Sequence, residues 1–177
     1  MLRRLLATVL TAVALATFLP IAPATADTFG WRWANTAIPV YSDADASWNV
    51  DEAIRLWNAN RAVNLYRVAD PVGTYGITIN EVDISGGGVV VGTGQAGWAE
   101  WANVGTNTQT CTITLKHLTI NAFKPTAVTH EIGHCLGLDH TTHKGSIMAP
   151  TLSIVAANRP SSWDYSQLAS LYRAVKR

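Results

Sequence analysis

The chain has 177 residues, with 13 lysines and arginines against 12 aspartates and glutamates; 48% of it is hydrophobic and 14% charged. So apolar a composition excludes a disordered chain, and a formal net charge of +1 excludes nucleic-acid binding through a basic surface. The length suits one domain with a proper core, and no array period or coiled-coil repeat is present.

Residues 1–26 read as an export signal. Arg3 and Arg4 precede an apolar stretch from Leu5 to Leu19, and Ala24-Thr25-Ala26 supplies a small-residue cleavage pattern before Asp27. The alternative is a retained anchor, although the stretch is short for a membrane span. Removing Arg3 and Arg4 from the 13 basic residues leaves residues 27–177 with a net charge near −1. That part is expected to be one secreted, extracellular domain, monomeric, with no nucleic-acid partner and no membrane partner after signal cleavage. In an exported chain the two cysteines, Cys111 and Cys135, read first as a disulfide, with two buried free thiols as the alternative.

Trp31 and Trp33 lie in a lead-in from Thr28 to Asn35, before a short strand at Ala37–Tyr41. Asn49 reads as the N-cap of a helix reaching about Ala62, because Val50, Ala53, Ile54 and Trp57 fall at helical spacing and Asp51 and Glu52 occupy the first turn. Strands are expected at Asn64–Val68 and Gly76–Val82, separated by the turn Asp70-Pro71-Val72-Gly73. A glycine-rich loop at 85–88 leads to Val89–Val91, and a weak strand is expected at Gln95–Trp101. Cys111–His117 is a stronger one, with Thr112, Ile113 and Thr114. A helix is expected from Pro125 to about Leu136, stopping at Gly137. A last helix opens at Pro160-Ser161-Ser162, with Leu168, Leu171, Tyr172 and Val175 on one face.

The chemistry is concentrated in His130-Glu131-Ile132-Gly133-His134. Residues four apart share a helical face, so His130 and His134 can reach one ion. Imidazole suits zinc, which needs no redox support. Glu131 stands about 100° round the helix from His130, beside the metal without ligating it, where a carboxylate can take a proton from an attacking water and pass it to a leaving amine. Gly137, three residues past His134, lets the chain leave the helix through a left-handed conformation and return His140 as a third ligand. Three protein ligands are the mark of a catalytic site.

Ser146-Ile147-Met148-Ala149-Pro150 follows downstream. With this stretch in view, the sequence resembles the metzincin metallopeptidases, whose pattern is H-E-x-x-H-x-x-G-x-x-H followed by a methionine turn. Ile147-Met148-Ala149-Pro150 looks most like the turn of matrixin-type members. The resemblance implies a zinc-dependent endopeptidase acting on peptide or protein substrates. His130, His134 and His140 would hold the metal, Glu131 would be general base and then acid, and Met148 would form a hydrophobic floor. Gln95–Trp101 would be the sheet edge that receives an extended substrate. It also implies an α/β fold of the zincin type: a twisted mixed sheet with two helices above the cleft, and a small C-terminal part ending in a helix from about Ser162. Thr151 to Ser162 would shape the substrate preference.

The chain departs from the matrixin pattern in places. No cysteine precedes Cys111, so no prosegment thiol is expected to cap the zinc. Beyond the three ligands only His117 and His143 remain, too few for a second, structural zinc of the matrixin type. Pro150 stands where astacin-like members carry a tyrosine, and Tyr165 is not assigned as a ligand. Calcium stays open as a second ion: Asp43, Asp45 and Asp83 sit near turns but match no defined calcium loop. Two rival functions are a zinc hydrolase acting on something other than protein, and a glycan-binding module using Trp31, Trp33, Trp98 and Trp101.

Overall fold

The computed structural model describes residues 27–82, 96–116, 121–150 and 158–173. The export-signal reading, the Val89–Val91 segment, Asp83, Gln95, His117, the stretch 151–157 and Val175 lie outside them. The strands are β1 (Arg32–Trp33), β2 (Ala37–Ser42), β3 (Asn64–Arg67), β4 (Gly76–Val82), β5 (Gly97–Val104) and β6 (Asn107–Lys116). The helices are α1 (Val50–Asn58), α2 (Lys124–Cys135) and α3 (Ser162–Tyr172). No helix among the described residues is long and apolar enough to cross a membrane.

The strands form one mixed sheet in the order β1-β6-β4-β2-β3, with β5 antiparallel to β6 and every other pairing parallel. Alternation decides which face is buried. Ile38 and Val40, Ile77 and Ile79, and Cys111, Ile113 and Leu115 all point into one core, which Trp57 of α1 and Val128, Ile132 and Cys135 of α2 complete. The Cys111–Cys135 disulfide closes that layer, with the two Cα atoms 5.6 Å apart.

α1 is amphipathic as its spacing predicts: Val50, Ala53, Ile54, Leu56 and Trp57 are buried, while Glu52 and Arg55 pair on the outer side. Its ends differ from expectation. Asn49 makes no side-chain cap; it adopts a left-handed conformation at φ 54°, and its carbonyl accepts the N–H groups of Glu52 and Ala53. Side-chain capping falls instead to Asp45, on the short 3-10 turn Ala46–Trp48 just before it. The helix stops at Asn58 rather than near Ala62. The Asn58 side chain exchanges two hydrogen bonds with the backbone of Leu65, and the Asn60 side-chain Oδ1 accepts from Ala62 N–H. Asparagine side chains thereby replace helical bonds and turn the chain into β3.

α2 lies in the interior, so its ends need partners. At its C-terminal end the Trp33 indole donates to the Cys135 carbonyl at 2.7 Å, and the Tyr172 hydroxyl donates to the Leu136 carbonyl. At its start Lys124 is 1% exposed. Its ammonium lies 2.7 Å from the Ser47 hydroxyl, 3.2 Å from the Asp45 carboxylate and 3.7 Å from Glu81. The Trp48 ring lies 5.1 Å away. Asp45, considered above for calcium, thus faces a cation supplied by the chain itself, and Asp43 accepts the N–H of Glu81.

Candidate metal centre and active site

α2 carries the site because its sequence satisfies two demands at once. Val128, Ile132 and Cys135 bind it to the sheet, and His130 and His134 occupy another side of the same turns. Gly137, at φ 95°, ends the segment as expected for a left-handed exit. Its carbonyl accepts from Phe29 N–H, and a Cβ there would run into the Trp31 carbonyl. The chain then reverses and brings His140 back over the helix.

His130, His134 and His140 form the one cluster of three potential metal-ligating side chains found among the described residues. The Nε2 atoms are 3.0 Å apart for His130 and His134, and 3.2 Å apart for each of the other pairs. Four-coordinate zinc with Zn–N bonds of about 2.0–2.1 Å places neighbouring nitrogens about 3.3–3.4 Å apart, so the triangle has the right size. The tautomers agree with this. His130 Nδ1–H donates to the Ile147 carbonyl at 2.7 Å, and His134 Nδ1–H donates to the Leu138 carbonyl at 2.8 Å. Each Nε2 is then left with a lone pair aimed at a common centre. Lone pairs so placed repel one another unless a cation sits between them, and three imidazole donors suit zinc.

Glu131 is 5% exposed. Burial alone pushes its carboxyl up to about 7. The same burial, reinforced by the neighbouring imidazoles, holds His130 and His134 down to about 4. Two glycines make room for this packing. A Cβ at Gly97 on β5 would lie 2.9 Å from the Thr114 carbonyl and 3.5 Å from Glu131 Cγ, so the edge strand passes close to the Glu131 side chain. A Cβ at Gly133 would overlap the Met148 thioether and lie 2.9 Å from the Trp57 ring. The buried Met148 thus rests on bare helix backbone between His130 and His134.

These shifts set a pH dependence for the metal-free protein. Between about pH 4 and 6.5 the unfolded chain holds up to two more protons on His130 and His134 than the native one; between 4.5 and 7 the native chain holds one more on Glu131. Net proton uptake on unfolding makes stability rise with pH. Stability should therefore climb from pH 4.5 to about 6.5, by roughly 1 kcal/mol per pH unit, and then decline as Glu131 ionises. Urea midpoints of the metal-free protein across this range will show the maximum; a curve that falls steadily from pH 4.5 contradicts the assigned burial.

Other parts of the site were not legible in the sequence. Phe29, Trp31 and Trp101 stack beside His134, with Phe29 centred 4.8 Å from Trp101 and 5.8 Å from the His134 ring. Trp31 and Trp33 are buried, so the four tryptophans do not form an exposed glycan-binding face. His143 stacks flat on Trp163 at 4.6 Å. The Tyr165 hydroxyl donates to the Leu56 carbonyl, away from the three histidines. Asp164, buried on α3, reaches the methionine turn; the Ser161–Asp164 capping spacing signals the start of that helix but not this contact.

No curated protein matches the chain in sequence. Among solved structures, the high choriolytic enzyme 1 of the medaka fish Oryzias latipes, a hatching enzyme zinc-protease, has a similar fold. The likeness covers 81% of this chain and 94% of that one, at a TM-score of 0.50 and 15% identity. The matrixin family model matches residues 26–173. That match spans the helix, the third histidine and the methionine turn together, and it places the chain in the matrixin family of metzincin zinc metalloendopeptidases.

Proposed function

We propose that this chain is a secreted endopeptidase whose residues 1–26 direct export and whose residues 27–177 form the catalytic domain. In this reading His130, His134 and His140 hold one zinc ion, and Glu131 handles the proton. The observation that carries it is the convergence of three Nε2 atoms within 3.2 Å of one another, two of them on a helix whose next residue after His130 is the buried Glu131. When bound, zinc supplies Lewis acidity toward the scissile carbonyl and makes water a nucleophile near neutral pH.

The chain's own residues do the rest. β5 pairs only with β6 among the described residues, so its outer edge is free to take an extended peptide through main-chain hydrogen bonds. Gly97 on that edge keeps the peptide backbone close to Glu131. The Glu131 carboxylate accepts a proton from the attacking water and delivers it to the departing amine nitrogen; a cation beside it favours the ionised form that a base requires. Met148 keeps the floor under the ligands apolar and immobile.

Casein digestion by the purified full chain should be abolished by a zinc chelator and restored by added zinc, with one zinc bound per chain. A protein that binds zinc stoichiometrically but cuts neither casein nor a mixed peptide library would be a hydrolase for another class of substrate. Export is checked separately, by finding the protein in the medium with Asp27 as its first residue.

A further inference from the structure

The two ligands on α2 are held differently. His134 Nδ1–H donates to the Leu138 carbonyl, and the N–H of the same peptide unit, that of Asp139, donates to the Asp27 carbonyl at 3.0 Å. That chain ends on a neutral backbone oxygen. His130 Nδ1–H donates to the Ile147 carbonyl, and the N–H of its peptide unit, that of Met148, donates to Ser146 Oγ at 2.9 Å. The Ser146 hydroxyl in turn donates to Asp164 Oδ1. This second chain ends on a carboxylate.

Asp164 is 1% exposed. Its other oxygen, Oδ2, accepts from Ile147 N–H at 3.1 Å, from Ser161 N–H at 2.7 Å and from the Ser161 hydroxyl at 2.8 Å. No lysine or arginine pairs with it among the described residues. Oδ1 therefore has Ser146 as its partner, and every donor between His130 and Asp164 points the same way. Aligned hydrogen bonds in a dry interior polarise one another. Negative charge at Asp164 enriches the Ile147 carbonyl oxygen, which strengthens the Nδ1–H bond and makes Nε2 of His130 the better donor to a cation.

We propose that Asp164, acting through the Ser146 hydroxyl and the Ile147–Met148 peptide, is a positioning residue that orients His130 and raises its affinity for the metal. Ser146 is the coupler in this relay, and α3 is tied through it to the metal centre rather than merely packed below it. The proposal rests on the reading of His130 as a metal ligand.

The test compares Ser146→Ala, Ser146→Thr and Asp164→Asn with a Tyr165→Phe control, which loses a half-buried hydrogen bond outside the relay. Zinc affinity is read by chelator competition, and ligand geometry by the visible spectrum of the cobalt-substituted protein. Ser146→Ala and Asp164→Asn should each bind zinc roughly tenfold more weakly, with altered cobalt bands. Ser146→Thr, which keeps the hydroxyl, should recover most of the affinity, and Tyr165→Phe should leave both readouts at the wild-type level. Wild-type affinity and spectrum in a folded Ser146→Ala overturns the relay. A His130→Ala variant separates the two readings: if it still binds zinc like the wild type, the metal-site assignment itself has failed. If the relay variants do not fold, proton NMR of the wild-type zinc protein decides. The His130 Nδ1 proton should resonate further downfield than that of His134, and the reverse order refutes the relay.

Discussion

Glu131→Gln is expected to lower kcat/KM by roughly 10³-fold while the protein keeps its zinc. Losing a positioned general base costs about 10²–10⁴ in rate, and in the proposed mechanism the same group also returns the proton to the amine. The substitution preserves volume in a position that is 5% exposed and lies against Gly97, so the fold has no reason to rearrange. An amide cannot accept the proton at neutral pH. It also spares the native state the burial of a charge, since the wild-type carboxyl is pushed up to about 7. A folded pKa above the unfolded value favours the native state at low pH and loses that advantage as pH rises through 7. The metal-free variant should therefore be at least as stable as the wild type at pH 8. Peptide kinetics, elemental zinc analysis and thermal melts measure the three parts separately. An active variant would remove Glu131 from the mechanism, and a zinc-free one would make it part of the metal site.

Opening the Cys111–Cys135 bridge has the largest expected effect on stability. The two cysteines are 24 residues apart in the chain. Loop entropy then predicts a loss of about 3 kcal/mol, or a fall of about 10 °C in Tm for a domain of this size. The loss is not spread evenly. Cys135 follows His134, a proposed zinc ligand, directly at the last turn of α2, and Cys111 sits on β6 in the sheet beneath it. Without the bridge, that turn is held by the Trp33 and Tyr172 hydrogen bonds and by apolar packing. Zinc loss to a chelator should accelerate along with the fall in Tm. A Cys111→Ala, Cys135→Ala protein should melt below the wild type, and wild type treated with a strong reductant should follow it; the reduced protein carries no cavity and so isolates the cross-link. Unchanged melting and zinc release in the reduced protein would show that the bridge contributes nothing.

Both experiments depend on features that the sequence displays with unequal clarity. The helix around His130 is a local matter: two imidazoles four residues apart share a face whatever the rest of the chain does, and Gly137 ends the run because it alone takes φ 95° without strain. The cysteine pair is visible by parity, and the order of strands and helices by periodicity. Such signals report what neighbours within a few turns impose on one another.

What the sequence by itself determined is therefore the spacing of the three histidines, the place of the glutamate among them, the methionine turn downstream and the class of fold. Tertiary structure alone decided how these parts are held. Asp164 reaches Ser146 and Ile147 across 18 and 17 residues, Trp33 bonds to Cys135 across 102, and Lys124 meets Asp45 across 79. Asn58 ends α1 early only because Leu65 arrives to bond with its side chain. No periodicity encodes such meetings. They arise when a buried polar group, denied water, must be satisfied by whichever segment the fold has brought alongside it.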